Sequence, residues 1–123
     1  MAMNESLSVR PRQPDLATID PRNVVAEYDR ESDTLIVQFF GRGRPAVILH
    51  TGGVADYWLD PETHEIIGLQ VEGYLTRAVY QLPLLLDMAE FVGIGGDEVA
   101  PIRQRISRER GILGIVEPLL ASV

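Results

Sequence analysis

Apolar and polar positions alternate with a period of two over residues 24–29. Val24, Ala26 and Tyr28 share one face, and Val25, Glu27 and Asp29 the other. That is the side-chain alternation of an extended strand. Residues 35–40 repeat it, with Leu35, Val37 and Phe39 against Ile36, Gln38 and Phe40, so both faces of this second strand carry large apolar groups. A sheet built on it should be covered on both sides, by the protein's own helices on one and by a partner on the other. Residues 54–59 and 65–72 supply a third and a fourth strand, and residues 46–49 a short extra one. Gly68, inside the fourth, points to a bulge or to close packing. Past Gly73 the period becomes helical. Residues 74–80 suit a short helix, and Pro83 suits the first turn of a second. In that second helix Leu85, Met88, Ala89 and Val92 form a stripe that Leu82, Leu86 and Phe91 widen, until Gly93, Gly95 and Gly96 end it. A third helix is expected from about Pro101 to Gly111. Ile102 and Ile106 mark its apolar line, and Arg103, Arg105, Arg108 and Arg110 its wet face.

The fold class this pattern predicts is α+β: an antiparallel β-meander of four strands, five if residues 46–49 join, with C-terminal helices packed on one face. Residues 1–22 hold Pro11, Pro14 and Pro21 without periodicity and read as a flexible N-terminal tail. Residues 23–92 form the sheet-plus-helix domain, and residues 93–123 a helical and apolar C-terminal extension. In that extension Ile112-Leu113-Gly114-Ile115-Val116 and Pro118-Leu119-Leu120 need a surface to cover, on their own sheet or on a second subunit. The pairing edges of an open sheet add to this, and a homo-oligomer is expected rather than a monomer.

Two turns are written in one pattern. Tyr28-Asp29-Arg30-Glu31-Ser32-Asp33-Thr34-Leu35-Ile36 is echoed by Leu59-Asp60-Pro61-Glu62-Thr63-His64-Glu65-Ile66-Ile67. Asp and Glu with a short hydroxyl residue make a tight reversal, and a β-branched aliphatic run follows as a strand. The second turn needs a residue tolerant of positive φ near its end. His64 stands there, and His is among the non-glycine residues enriched in that conformation.

The region from Glu27 to Thr76 resembles a known pattern. Ala26-Glu27-Tyr28-Asp29 with Asp33-Thr34-Leu35-Ile36-Val37 is similar to the opening hairpin of the bacterial domain of unknown function 2283 family. Asp60-Pro61-Glu62-Thr63 followed by Ile66-Ile67-Gly68-Leu69-Gln70-Val71-Glu72 is similar to its closing one. The resemblance covers the middle half of the chain and rests on turns that define a fold. It implies a small sheet-plus-helix protein with no established activity and, since some members are encoded beside toxin-like partners, an antitoxin-like role. The closing turn of the family usually has Gly where this chain has His64, and the long C-terminus exceeds the family's minimal domain.

Composition narrows the function classes. The chain has 123 residues, 46% of them hydrophobic, enough for one domain with a core. No apolar run approaches the ~20 residues of a membrane-spanning helix, and the N-terminus has no apolar h-region. No membrane partner and a cytoplasmic location are therefore expected. With no cysteine there is neither a disulfide nor a thiolate site. The net charge of −7 argues against nucleic acid as a partner. All eleven basic residues are Arg, which removes Schiff-base and P-loop lysine chemistry.

Several motifs suggest chemistry, and each has a plainer reading. Asp29, Glu31 and Asp33 have the spacing of calcium ligands, but an EF-hand loop needs Gly and Glu where this chain has Thr34 and Phe40. A solvated turn is the better reading. Arg42-Gly43-Arg44-Pro45 resembles the core of an AT-hook, yet its flanks Phe39-Phe40 and Ala46-Val47-Ile48-Leu49 are those of a loop between strands. The Arg face of the third helix reads as a solvated surface. His50 could pair with Asp56 or Asp60, but no nucleophile-containing motif accompanies it. Ser6, Ser8, Ser107 and Ser122 lie in tails or the outer helix, and Ser32 in a turn. Tyr57, Trp58, Tyr74 and Tyr80 could frame an aromatic pocket, with core packing as the default. Trp58 falls on the side of Asp56 and Asp60, where a subunit contact is expected to cover it.

No catalytic, cofactor-binding or metal-ligating residue is assigned from the sequence, and no cofactor is expected. The leading expectation is a non-enzymatic, homo-oligomeric protein-interaction module, antitoxin-like in its most concrete form, with a protein partner. The alternative is a small-molecule-binding or enzymatic domain with its pocket between sheet and helices.

Overall fold

A computed structural model of the chain describes residues 10–121. Five strands form one antiparallel sheet: β1 (Val25–Asp29), β2 (Thr34–Gln38), β3 (Val47–Leu49), β4 (Asp56–Leu59) and β5 (Ile66–Glu72). Their spatial order is β1-β2-β5-β4-β3. The α+β class, the antiparallel sheet and the extra strand are as the pattern predicts. One connection differs from a simple meander. The chain leaves β2, crosses to the far edge to make β3, and returns through β4 so that β5 becomes the central strand. Central strands are the most buried, and β5, the longest of the five, buries Ile66, Ile67, Gly68 and Val71.

Register places Leu35 opposite both Tyr28 and Val71, so these side chains share one face. Three helical segments cover it. The first, α1, is a π-helical turn (Tyr74–Ala78) continued by an α-helical turn (Val79–Gln81). The second, α2 (Pro83–Val92), is wound as a 3-10 helix. The third, α3 (Gly96–Leu120), is α-helical with a break at Gly111. The core joins Leu35 and Val71 to Tyr74, Val79, Leu86, Ala89, Ile94 and Val99, with Ile102 and Ile106 packed against its edge. The Tyr74 hydroxyl donates to the Leu85 carbonyl at 2.6 Å, and its ring meets Tyr28 edge to face at 5.7 Å. Burial, with the Asp87 charge adding to it, raises the Tyr74 phenol to about 12.

The winding of α2 changes which residues it buries. A 3-10 helix repeats every three residues, so Leu86 and Ala89 stack in one buried line, with Pro83 and Val92 half-buried above and below them. Leu84, Asp87 and Glu90 form an exposed line, and Phe91 also faces outward. The expected stripe assumed a period of 3.6, which would have drawn Phe91 inward. Gly93, with φ of 75°, ends the segment as expected. The next helix begins earlier than Pro101. Gly95 is extended, and Asp97 and Glu98 occupy the first turn of α3, where the helix dipole favours negative charge. Gly111 does interrupt it, but helix resumes to Leu120.

Both acidic turns form, and both end on a left-handed residue: Asp33 with φ of 51° and His64 with φ of 61°. In the first, Asp29 accepts from the Glu31 amide at 3.2 Å and the Ser32 hydroxyl at 2.8 Å. In the second, Asp60 accepts from the Glu62 and Thr63 amides at 2.8 and 3.0 Å. Gly68 sits opposite Trp58 beside a bulge between Trp58 and Leu59. A Cβ there would lie 2.6 Å from the Val37 carbonyl oxygen, so close packing as well as a bulge explains this glycine.

The first nine residues of the expected tail lie outside the described residues, as do Ser6, Ser8 and Ser122. Within residues 10–22 the chain makes two short 3-10 turns capped by Asp15 and Asp20. Arg12 exchanges backbone hydrogen bonds with His64 and Ile66, both at 2.9 Å, which holds this stretch to the start of β5.

Candidate functional site

The β3–β4 connection folds around one carboxylate. Asp56, at the first position of β4, accepts the Thr51 amide on one oxygen at 3.1 Å, and its other oxygen lies 3.0 Å from Nδ1 of His50. The Thr51 hydroxyl donates to the Ala55 carbonyl at 2.7 Å and accepts the Gly53 amide at 3.0 Å. These bonds close the loop through Gly52, whose φ of 76° suits glycine. His50 therefore meets Asp56, one of its two candidate partners. Asp60 instead binds Arg44 at 2.8 Å and caps its own turn. Its carboxyl is held below the usual range by the Thr63 and Glu62 amides and by Arg44.

This loop faces α1 across a groove of about 440 Å³, with His50, Asp56, Gly52 and Gly53 on one wall and Arg77 and Gln81 on the other. Asp56 is largely covered while the His50 ring is 72% exposed. A carboxylate on Nδ1 orients the imidazole and leaves Nε2 for a ligand, the arrangement a general base or an anion-binding histidine uses. No serine lines the groove. Sequence reasoning named the His50–Asp56 pair but missed Arg77 and Gln81. No local signal joins residues 50–56 to residues 77–81.

The other motifs are used inside the fold. Arg42 pairs with Glu27. Arg44 pairs with Asp60 and lies over the Phe40 ring at 5.2 Å. Both arginines of the AT-hook-like sequence thus brace a connector loop. Asp29 caps its own turn while Asp33 turns toward α1, so the calcium-like spacing does not bring these carboxylates to one point. Among the described residues no group of three or more His, Asp or Glu side chains is placed to hold a metal ion. The four aromatics do not frame a pocket. Tyr74 is core, Tyr80 lies under the Arg105 guanidinium at 4.8 Å, and Trp58 is half-buried with its indole N–H donating to Gln70 at 3.2 Å. The Trp58 N–H thus has a partner within the chain.

The C-terminal arm, residues 112–120, is the second feature, and its large apolar side chains are exposed. Ile112, Leu113, Ile115, Leu119 and Leu120 are each between 65% and 78% exposed. At 100° per residue they and Val116 occupy an arc of about 160°, and Gly114, Glu117 and Pro118 the opposite side. The arm is an amphipathic helix with its apolar face uncovered, and it does not dock on its own sheet. A second apolar surface lies between α2 and α3. It is a groove of about 520 Å³ with Leu86, Ile94 and Val99 at its floor and Phe91, Asp87 and Glu90 at its rim.

Among the described residues no helix is long and apolar enough to cross a membrane. Comparison with family models, with curated proteins and with solved structures returned no match.

Proposed function

We propose that this chain is a non-enzymatic protein-interaction module that assembles with itself through the C-terminal arm. The observation that carries the reading is the uncovered apolar face of residues 112–120. A monomer in water rarely leaves so many large aliphatic side chains contiguous and exposed. Burying each one fully is worth about 1.5–3 kcal/mol, so a surface that covers five of them is a strong attractor. A second copy offers such a surface in the groove between α2 and α3. Charge supports that pairing. Arg108 and Arg110, just before the arm, form no ion pair among the described residues. Glu90 at the groove rim is exposed and forms no ion pair among the described residues, while Asp87 beside it already pairs with Arg103. Such complementarity sets register and partner choice more than affinity. An antitoxin-like regulator, as the family resemblance suggests, is the most specific form of this reading.

Sedimentation velocity on the full chain and on a chain stopped after Arg110 tests it. The full chain is expected to sediment as an oligomer at micromolar concentration, and the shortened chain as a folded monomer. Leu113→Arg, which leaves the fold untouched, is expected to act like the truncation. A full chain that stays monomeric throughout the concentration range would sink the proposal.

A further inference from the structure

The groove between the β3–β4 loop and α1 carries an inference independent of the arm. Most arginines on the sheet-and-helix body are matched to carboxylates: Arg22 to Asp20, Arg30 to Glu98, Arg42 to Glu27, Arg44 to Asp60, Arg103 to Asp87 and Arg105 to Glu109. Arg77 is not. In a chain with 18 acidic residues it forms no ion pair among the described residues, and its one protein partner is the Glu72 carbonyl, at a long 3.3 Å. It lies on α1, on the wall of the groove that faces His50. The one carboxylate in that lining, Asp56, is already committed to the Thr51 amide and to Nδ1 of His50. The groove therefore holds an oriented imidazole with a free Nε2, a guanidinium lacking a counter-charge, and the amide of Gln81. Glycine at positions 52 and 53 adds no side chain between His50 and Asp56 on the opposite wall.

We infer that this groove binds a small oxyanion, the carboxylate or phosphate group of a small molecule. Arg77 is the main anchor, because a guanidinium presents two parallel N–H donors to two oxygens. His50, its ring held by Asp56 through Nδ1, is the second contact and presents Nε2 to the same anion. Arg77 offsets the Asp56 charge within the groove, so this site lacks the net negative charge of the whole chain and an anion can approach it. Gln81 can donate its amide to the same group. The groove's volume of about 440 Å³ suits a compact ligand.

Only two histidines occur in the chain, which makes the test direct. Imidazole nitrogen and proton resonances of the full-length protein are followed while inorganic phosphate and, separately, acetate are added, with sodium chloride at matched ionic strength as the reference. A saturable shift of His50 with His64 unmoved is expected. Saturation by phosphate alone assigns a phosphate-bearing ligand, and by acetate alone a carboxylate-bearing one. Arg77→Gln should weaken the binding roughly ten-fold or more, as loss of a charge-assisted bidentate contact does. Arg77→Lys, which keeps the charge and loses the fork, should weaken it less, and Arg108→Gln should leave it unchanged. An unmoved His64 signal certifies that each variant is folded. The inference is overturned if His50 responds no differently to the two anions than to chloride, or responds equally in the wild type and in Arg77→Lys and Arg77→Gln. Because the readout is a side-chain resonance, it is separable from the oligomeric state.

Discussion

The two acidic turns have nearly the same residues, the same carboxylate-capped backbone and the same left-handed last residue, yet they do different work. The turn from Asp29 to Asp33 joins β1 to β2 at the end of the sheet where β5 runs into α1. The turn from Asp60 to His64 joins β4 to β5 at the opposite end. In the second, the residue at the left-handed position contributes backbone bonds: its amide donates to Asp60 and its carbonyl accepts from Arg12, both at 2.9 Å. In the first, the same position carries a carboxylate that reaches across the fold. Asp33 accepts the Leu75 amide at 2.9 Å, the Thr76 amide at 3.1 Å, the Thr76 hydroxyl at 2.8 Å and the Tyr28 hydroxyl at 2.6 Å. Its own carbonyl accepts the Tyr74 amide at 2.9 Å. Gly73 precedes the π-helical turn and offers it no side-chain cap, so a residue some forty positions away does the capping. One turn therefore closes a hairpin, and the other closes a hairpin and fastens the helical layer to the sheet.

Removing each capping carboxylate should separate the two roles. Asp33→Ala strands the Tyr28 hydroxyl and two helix amides near the core, and is expected to cost about 3 kcal/mol in urea unfolding, since each buried donor left unmet costs about 1–3 kcal/mol. Asp60→Ala removes a cap whose amides can turn to water, and is expected to cost about 1 kcal/mol. Equal losses would mean that Asp33 does not tie the layers together.

The contrast also has a pH form. Burial of Asp33 opposes its ionisation, but the bonds from Tyr28, Leu75 and Thr76 outweigh that and hold its carboxyl below the ordinary value of 3.8. A depressed folded value means that the ionised group stabilises the fold above 3.8, and that this contribution is lost as pH falls through the lower folded value. Stability of the wild type should therefore fall more steeply below pH 3.8 than that of Asp33→Asn, measured by urea titration at fixed pH. Burial, reinforced by the Asp33 charge, raises the Tyr28 phenol, so this bond should survive alkaline pH into the range where an exposed tyrosine ionises.

The smallest effect sharpens the comparison most. His64→Gly relieves a left-handed non-glycine residue without removing a side-chain bond, and should change stability by less than about 1 kcal/mol, with relief of strain set against greater freedom of the unfolded chain. Asp33→Gly relieves the same strain and should nevertheless destabilise by nearly as much as Asp33→Ala. Thermal melts of the two glycine variants would show the divergence directly.

Much of this was legible in the chain. Strand positions followed from the period-two alternation, both turns from their Asp-x-Glu-Ser/Thr spacing, His64 from the need for positive φ, and Gly93 and Gly111 from their breaking of helical runs. These are local properties, governed by backbone sterics and by side chains within a few residues of each other. The His50–Asp56 contact was half legible for the same reason, because its partners are six residues apart. Tertiary structure alone decided the rest. That β5 is central, that α2 buries every third residue, that Asp33 caps α1 and that Arg77 faces His50 all depend on which distant surfaces meet when the core closes. Such contacts are chosen by burial and by the satisfaction of polar groups over the whole domain, and a local pattern carries no record of them. The arm lies between the two. Its apolar face can be counted off the sequence, but that the face remains uncovered is known only once the rest of the chain has folded without it.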